Sequence, residues 1–121
     1  MFNKKQTAEI VDKLIELTQH NQIKWEAIDP EPYMKDPNSR VDLIYVAKHL
    51  GRRIRLYQQH YKYYFDEDKY VWDEQINIEF IDDYDNSLGM FPKTPNANDL
   101  FKAIQYQNPL VNSFYNDLFG K

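Results

Sequence analysis

The sequence has no cysteine. That excludes disulfides, thiolate zinc sites and cysteine nucleophiles, and it makes a reducing, cytoplasmic setting the expectation. Glycine is nearly as scarce, with three residues in 121, too few for the loops that cradle phosphates in Rossmann or P-loop folds. No window approaches the ~18 uncharged apolar residues of a membrane span, so no membrane association is expected. The opening MFNKKQTAEI has lysines with no apolar run behind them, which argues against a secretory signal.

Aromatic rings and acids are plentiful instead. Ten Tyr and seven Phe stand in a chain of net charge −4, and that modest net value conceals an uneven layout. Asp66, Glu67, Asp68, Asp73, Glu74, Glu79, Asp82, Asp83 and Asp85 are opposed within their own segment by Lys69 alone. Immediately before them, residues 40–64 hold Arg40, Lys48, Arg52, Arg53, Arg55 and Lys62 against only Asp42. A basic stretch thus precedes an acidic one, and cross-strand pairing is the simplest use of that order.

Residues 3–18 read as an amphipathic helix, with Asn3 and Gln6 at capping-box spacing and Ile10, Val11, Leu14, Ile15 and Leu17 at helical intervals. IKWEAI (23–28) alternates as a short strand. DPEPYMKDPN (29–38), with three prolines, reads as an extended loop. VDLIYVAKH and RRIRLYQQHYKYYF flank Leu50 and Gly51, a tight turn in which Gly supplies positive φ. A second turn centred on Glu67 pairs Ile54 with Phe80, Leu56 with Ile78 and Gln58 with Ile76. The two turns together place Leu43, Tyr45, Ala47, Ile54, Leu56, Ile76, Ile78 and Phe80 on one face. The opposite face then sets Arg55 across from Glu79, expected as an exposed ion pair worth a few tenths of a kcal/mol.

DDYDNS (82–87) is a turn and LGMF (88–91) a short return strand. Asn98 is expected to cap a helix carrying Leu100, Phe101, Ala103 and Ile104. Asn108 and Pro109 open a second helix, or a kinked continuation, closed by Gly120. The expected fold is therefore α+β over residues 1–121 as one domain: an antiparallel β-meander of about four to five strands, flanked by an N-terminal helix and one or two C-terminal helices.

Reactive constellations are thin. Asp83, Asp85 and Ser87 imitate the start of a calcium loop, but Leu88 stands where Gly is needed and Thr94 where a bidentate Glu is needed. His20, His49 and His60 have no metal-ligand spacing. None of Ser39, Ser87 and Ser113 lies in a nucleophile-elbow context. His60 opposite Glu74 reads as a polar pair, and nothing singles out Glu79 with Asp82 as a hydrolytic carboxylate pair. No catalytic residue, metal or cofactor is assigned, and a non-enzymatic protein is expected. A metal-dependent hydrolase or nuclease is the weakest alternative. Arg52, Arg53, Arg55 and Lys62 interleaved with Tyr57, Tyr61 and Tyr63 resemble a single-strand stacking platform. The adjacent acids oppose phosphate there, so direct nucleic-acid binding is not expected.

The acidic segment has two readings: a solvated hairpin kept soluble by charge, or a face that docks on another protein. The docking reading assigns Asp66, Glu67, Asp68, Trp72, Asp73, Glu74, Asp82, Asp83 and Asp85 to a basic groove of a partner protein, nucleic-acid-binding proteins among the candidates, and adds Tyr33 and Met34 from the proline loop. An alternative puts an accessory or immunity-type contact on the proline loop and C-terminal helix. The blocks IKWE, YVAKHLGRRIRLY, WDEQINIEFIDD, FP and DLFKAIQYQ, spanning about residues 23–107, resemble a group of small α+β proteins without assigned activity from Gram-positive bacteria and their prophages. That resemblance implies an accessory role with no catalytic residues to carry over. By analogy, a prophage setting points toward small inhibitors of host defence, anti-CRISPR proteins among them.

Overall fold

A computed structural model describes residues 1–120. The fold is α+β: α1 (Lys4–Gln19), β1 (Glu26–Ile28), β2 (Ser39–His49), β3 (Arg52–Asp66), β4 (Lys69–Ile81), β5 (Ser87–Met90), α2 (Ala97–Gln107) and α3 (Pro109–Phe119). The five strands form one antiparallel meander in sequence order. A single 3₁₀ turn, Pro32–Met34, interrupts the proline loop, where Pro fits the first helical position.

α1 starts where its sequence said it would. The Asn3 side chain accepts from the Gln6 amide at 2.8 Å, and the Gln6 side chain accepts from the Asn3 amide at 3.0 Å. Two otherwise orphaned donors are satisfied at once. α2 starts differently from expectation. Its cap is Asn96, not Asn98, and that side chain makes no capping bond. It donates instead across to α1, to the Ala8 carbonyl at 2.9 Å and Asp12 Oδ1 at 2.8 Å. Gln107, at the far end of α2, donates to the Ile23 and Thr18 carbonyls. These bonds dock the helices side by side on one sheet face.

Beneath them lies the main core. Val11 and Leu14 of α1 and Leu100 and Ile104 of α2 pack on Ala47, Ile54, Leu56 and Ile78. The expected register is the observed one, with Ile54 opposite Phe80, Leu56 opposite Ile78 and Gln58 opposite Ile76. Leu43 is the exception. A bulge sets both Asp42 and Leu43 against Gln58, since Val41 pairs with Gln59 and Ile44 with Tyr57. An extra residue in one strand reverses the alternation beyond it. Leu43 stays on the helix face beside Tyr45 and Phe101 but at its exposed rim, while the bulge turns Val41 to the other face, where it joins Ile44 and Tyr57 in a second small core closed by Met34.

That second face corrects the expected exposed ion pair. Arg55 and Glu79 are opposite, as the register requires, but their side chains are only 6% and 3% exposed. Arg55 Nε donates to Glu79 Oε1 at 2.7 Å, and Nη2 reaches the same oxygen. Nη1 donates to the Asp85 carbonyl at 3.3 Å. Beside the pair, an amide ladder runs across the sheet: Gln59 donates to Ser39 and accepts from Gln75 and Asn77. The Lys93 ammonium closes the row on Asn77 and the Ile76 carbonyl. Desolvation pushes the Lys93 pKa down, with the Glu79 charge partly offsetting it.

Removing one member of a buried ion pair leaves the other charge uncompensated, at a cost of about 3–5 kcal/mol. Glu79→Ala should lower the unfolding free energy by that order in urea titration, and Arg55→Met with Glu79→Leu should recover most of it. A cost as small as that of a surface pair would show that the two charges are solvated. The β2–β3 turn offers the opposite test. Leu50 is exposed and held at φ 51, beside Gly51 at φ 75, a conformation that costs a branched residue roughly 1 kcal/mol or more. Leu50→Asn should raise the melting temperature by a few degrees for a gain of about 1 kcal/mol.

Candidate functional site

β3 and β4 outrun their neighbours. The last residue of β3 paired to β2 is Tyr61, opposite Ser39, and β5 covers only Glu79, Phe80 and Ile81 of β4. Residues 62–72 therefore form a two-stranded arm extending roughly 15 Å past the rest of the sheet. A lone hairpin is marginal in water, and this one is braced by its own side chains. On the face shared with the helices, Tyr64 and Tyr70 are opposite with centroids 5.4 Å apart. The Lys62 ammonium lies 4.4 Å from the Tyr70 centroid and 5.7 Å from that of Trp72, a cation–π clamp. On the other face Tyr63 opposes Val71, and the Tyr61 hydroxyl donates to Asp73 at 3.4 Å. Partial desolvation, then the neighbouring Asp73 carboxylate, raises the Tyr61 pKa.

Half or more of Tyr63, Tyr64, Phe65, Val71 and Trp72 remains exposed. Phe65 is the extra residue of a bulge between Tyr64 and Asp66, just before the Glu67–Asp68 loop. Five exposed apolar residues beside one another exceed the scattered apolar surface normal on a soluble domain. The expected site contained only Trp72 from this set. Adjacent strands longer than their partners were the available signal, because an unpaired hairpin end has no core in which to hide aromatics.

The expected acids divide into three groups. Asp66, Glu67 and Asp68 crown the tip, where Asp66 Oδ1 accepts from the Glu67 amide at 2.7 Å. Asp73 and Glu74 lie along the arm's root on opposite faces, and Glu74 approaches His60 at 3.8 Å while Asp42 approaches it from the other side at 3.9 Å. Asp82, Asp83 and Asp85 sit at the other end of β4, about 40 Å from the tip. Tyr33 is exposed on the face away from the helices, while Met34 packs into the second core.

At that far end two of the three carboxylates serve the fold. Asp82 Oδ1 accepts from the Tyr84 and Asn86 amides at 2.8 and 2.9 Å. Asp85, at φ 66, places Oδ1 2.7 Å from Arg53 Nη1, an ion pair without an aligned hydrogen bond. Arg53 also donates to the Asp82 carbonyl at 2.7 Å. The arginines of the would-be stacking platform are thus engaged: Arg52 on the Leu50 carbonyl of its own turn, Arg53 in the β4–β5 turn and Arg55 in the buried pair. Among the described residues no three or more His, Asp or Glu gather as metal ligands, and no helix is long and apolar enough to cross a membrane.

No family model, curated protein or solved structure matches the chain.

The turn makes a pH prediction. Hydrogen bonds from the Asn86 backbone first, then from Tyr84 and the Asn86 side chain, with the Arg53 charge, hold the Asp82 pKa below its ordinary 3.8. A depressed carboxyl stabilises the fold above its unfolded value and loses that contribution as pH falls through the folded value. Wild type should therefore exceed Asp82→Asn in melting temperature at neutral pH, and the gap should close between about pH 5 and pH 2. A gap constant across that range would show that the charge contributes nothing.

Proposed function

We propose that this protein is a non-enzymatic binding module whose β3–β4 arm docks in a basic groove of another protein. The observation that carries this reading is the arm itself: an uncovered hairpin with exposed rings on both faces and an acidic tip. Aromatic residues supply contact area at low entropic cost and dominate interface energetics. Asp66, Glu67, Asp68, Asp73 and Glu74 outnumber Lys62 and Lys69 there, so the arm favours Arg- or Lys-lined clefts and gains on-rate from them. Nucleic-acid-handling proteins present such clefts, and a small inhibitor that occupies one is the concrete form of the proposal. Asp82, Asp83 and Asp85 take no part in this contact, because the first and last hold a turn at the other end of the sheet.

The test is affinity capture from host lysate followed by binding of the purified partner. Trp72→Ala and the triple change Asp66→Lys, Glu67→Lys, Asp68→Lys should each weaken binding tenfold or more. Asp83→Lys should not. Affinity should also fall steeply with added salt. Equal capture by wild type and both arm variants would defeat the reading.

A further inference from the structure

A second surface is unexplained by the arm. α3 contributes no buried residue and packs chiefly beside α2, yet its sequence, PLVNSFYNDLF, is the most apolar of the three helices. Leu110, Val111, Phe114, Tyr115, Leu118 and Phe119 are 49–82% exposed. At 100° per residue they fill one half of the helix, and Asn112, Ser113, Asn116 and Asp117 fill the other. An amphipathic helix with its apolar half in water normally has that half covered. An isolated helix of 11 residues is also too short to persist on propensity alone.

We infer that α3 is a homodimerisation element, covered by α3 of a second copy in an antiparallel, two-fold arrangement. Three observations select that occupant. The apolar and polar positions are palindromic: from 110 to 119 the order apolar, apolar, polar, polar repeats and reads the same in both directions. A two-fold axis between Phe114 and Tyr115 therefore brings Val111 level with Leu118 of the second copy and gathers both aromatic pairs about the axis. The apolar residues also form two rows spaced by four, 110–114–118 and 111–115–119. Such ridges interdigitate with their own kind at a crossing near −50°, the commonest helix packing. Finally, six side chains exposed to this degree offer on the order of 600 Å² per chain, so a pair approaches the lower end of standard stable interfaces.

The competing occupants fit less well. Helices that lie on membranes carry Lys or Arg on the polar face, and α3 has none there. Its single charge, Asp117, stands on the polar half, so a charged partner has little to grip and two copies have no like charges forced into the seam.

The measurement is sedimentation equilibrium of the full chain from about 1 to about 200 µM, where a dimer reveals itself as concentration-dependent mass. Wild type should rise to twice the monomer mass. Phe114→Glu should move the midpoint at least about tenfold higher with an unchanged circular dichroism spectrum, since no core residue is touched. The chain lacks cysteine, so single substitutions report geometry cleanly: Tyr115→Cys should oxidise to a linked dimer and Ser113→Cys, on the polar half, should not. The arm variant Trp72→Ala should dimerise like wild type, which separates this inference from the arm reading. A wild type that stays monomeric overturns it, whether or not the helix then sediments with phosphatidylcholine vesicles. A dimer indifferent to Phe114→Glu, or equal linking by both cysteine variants, overturns it as well.

Discussion

Arg55 and Glu79 meet across β3 and β4 inside the sheet's second face, and the rest of the molecule is arranged around that contact. A charge pair taken out of water survives only when each member holds the other and the remaining donors find acceptors. Here the third donor of the guanidinium reaches the Asp85 carbonyl, so the pair also anchors the β4–β5 turn. It fixes the strand register as well. A slip of either strand by one residue would turn its charge toward the apolar core under α1 and α2 and leave the other charge buried without a partner.

That constraint explains why one sheet serves two purposes. Its middle is covered on both faces, by helices on one side and by the proline loop, the amide ladder and the β4–β5 turn on the other. Among the described residues nothing covers its far end. The covered part supplies stability, and the bare arm is free to carry rings and acids that a core could not accept. Most of the acid near Arg53 and Arg55 serves folding, while the acid at the tip makes no ion pair among the described residues. The arm and α3 are therefore separate surfaces with different chemistry: one charged and aromatic, the other uncharged and apolar.

Much of the fold was legible. Capping boxes, turn residues and period-two alternation are local, and local rules gave α1, the meander, its register and the Asn108–Pro109 start of α3. The misses share a cause. Leu43 sits at the exposed rim of its face beside a bulge opposite Gln58, and nothing in VDLIYVAKH marks a bulge. Asn96 replaced Asn98 at the start of α2 because its side chain bonds α1, a partner 84 residues away for Asp12.

The candidate site was legible in composition and illegible in placement. The sequence by itself determined that acids and rings would crowd residues 61–87 and that Arg55 would face Glu79, since hydrogen-bonded register follows from turn length and alternation. Only the tertiary structure decided what those residues do. Burial depends on what packs over a strand, so it turned an expected surface pair into an interior one. Strand length relative to its neighbours left the arm bare, and the 13 residues of β4 carried two halves of one acidic run to opposite ends of the molecule.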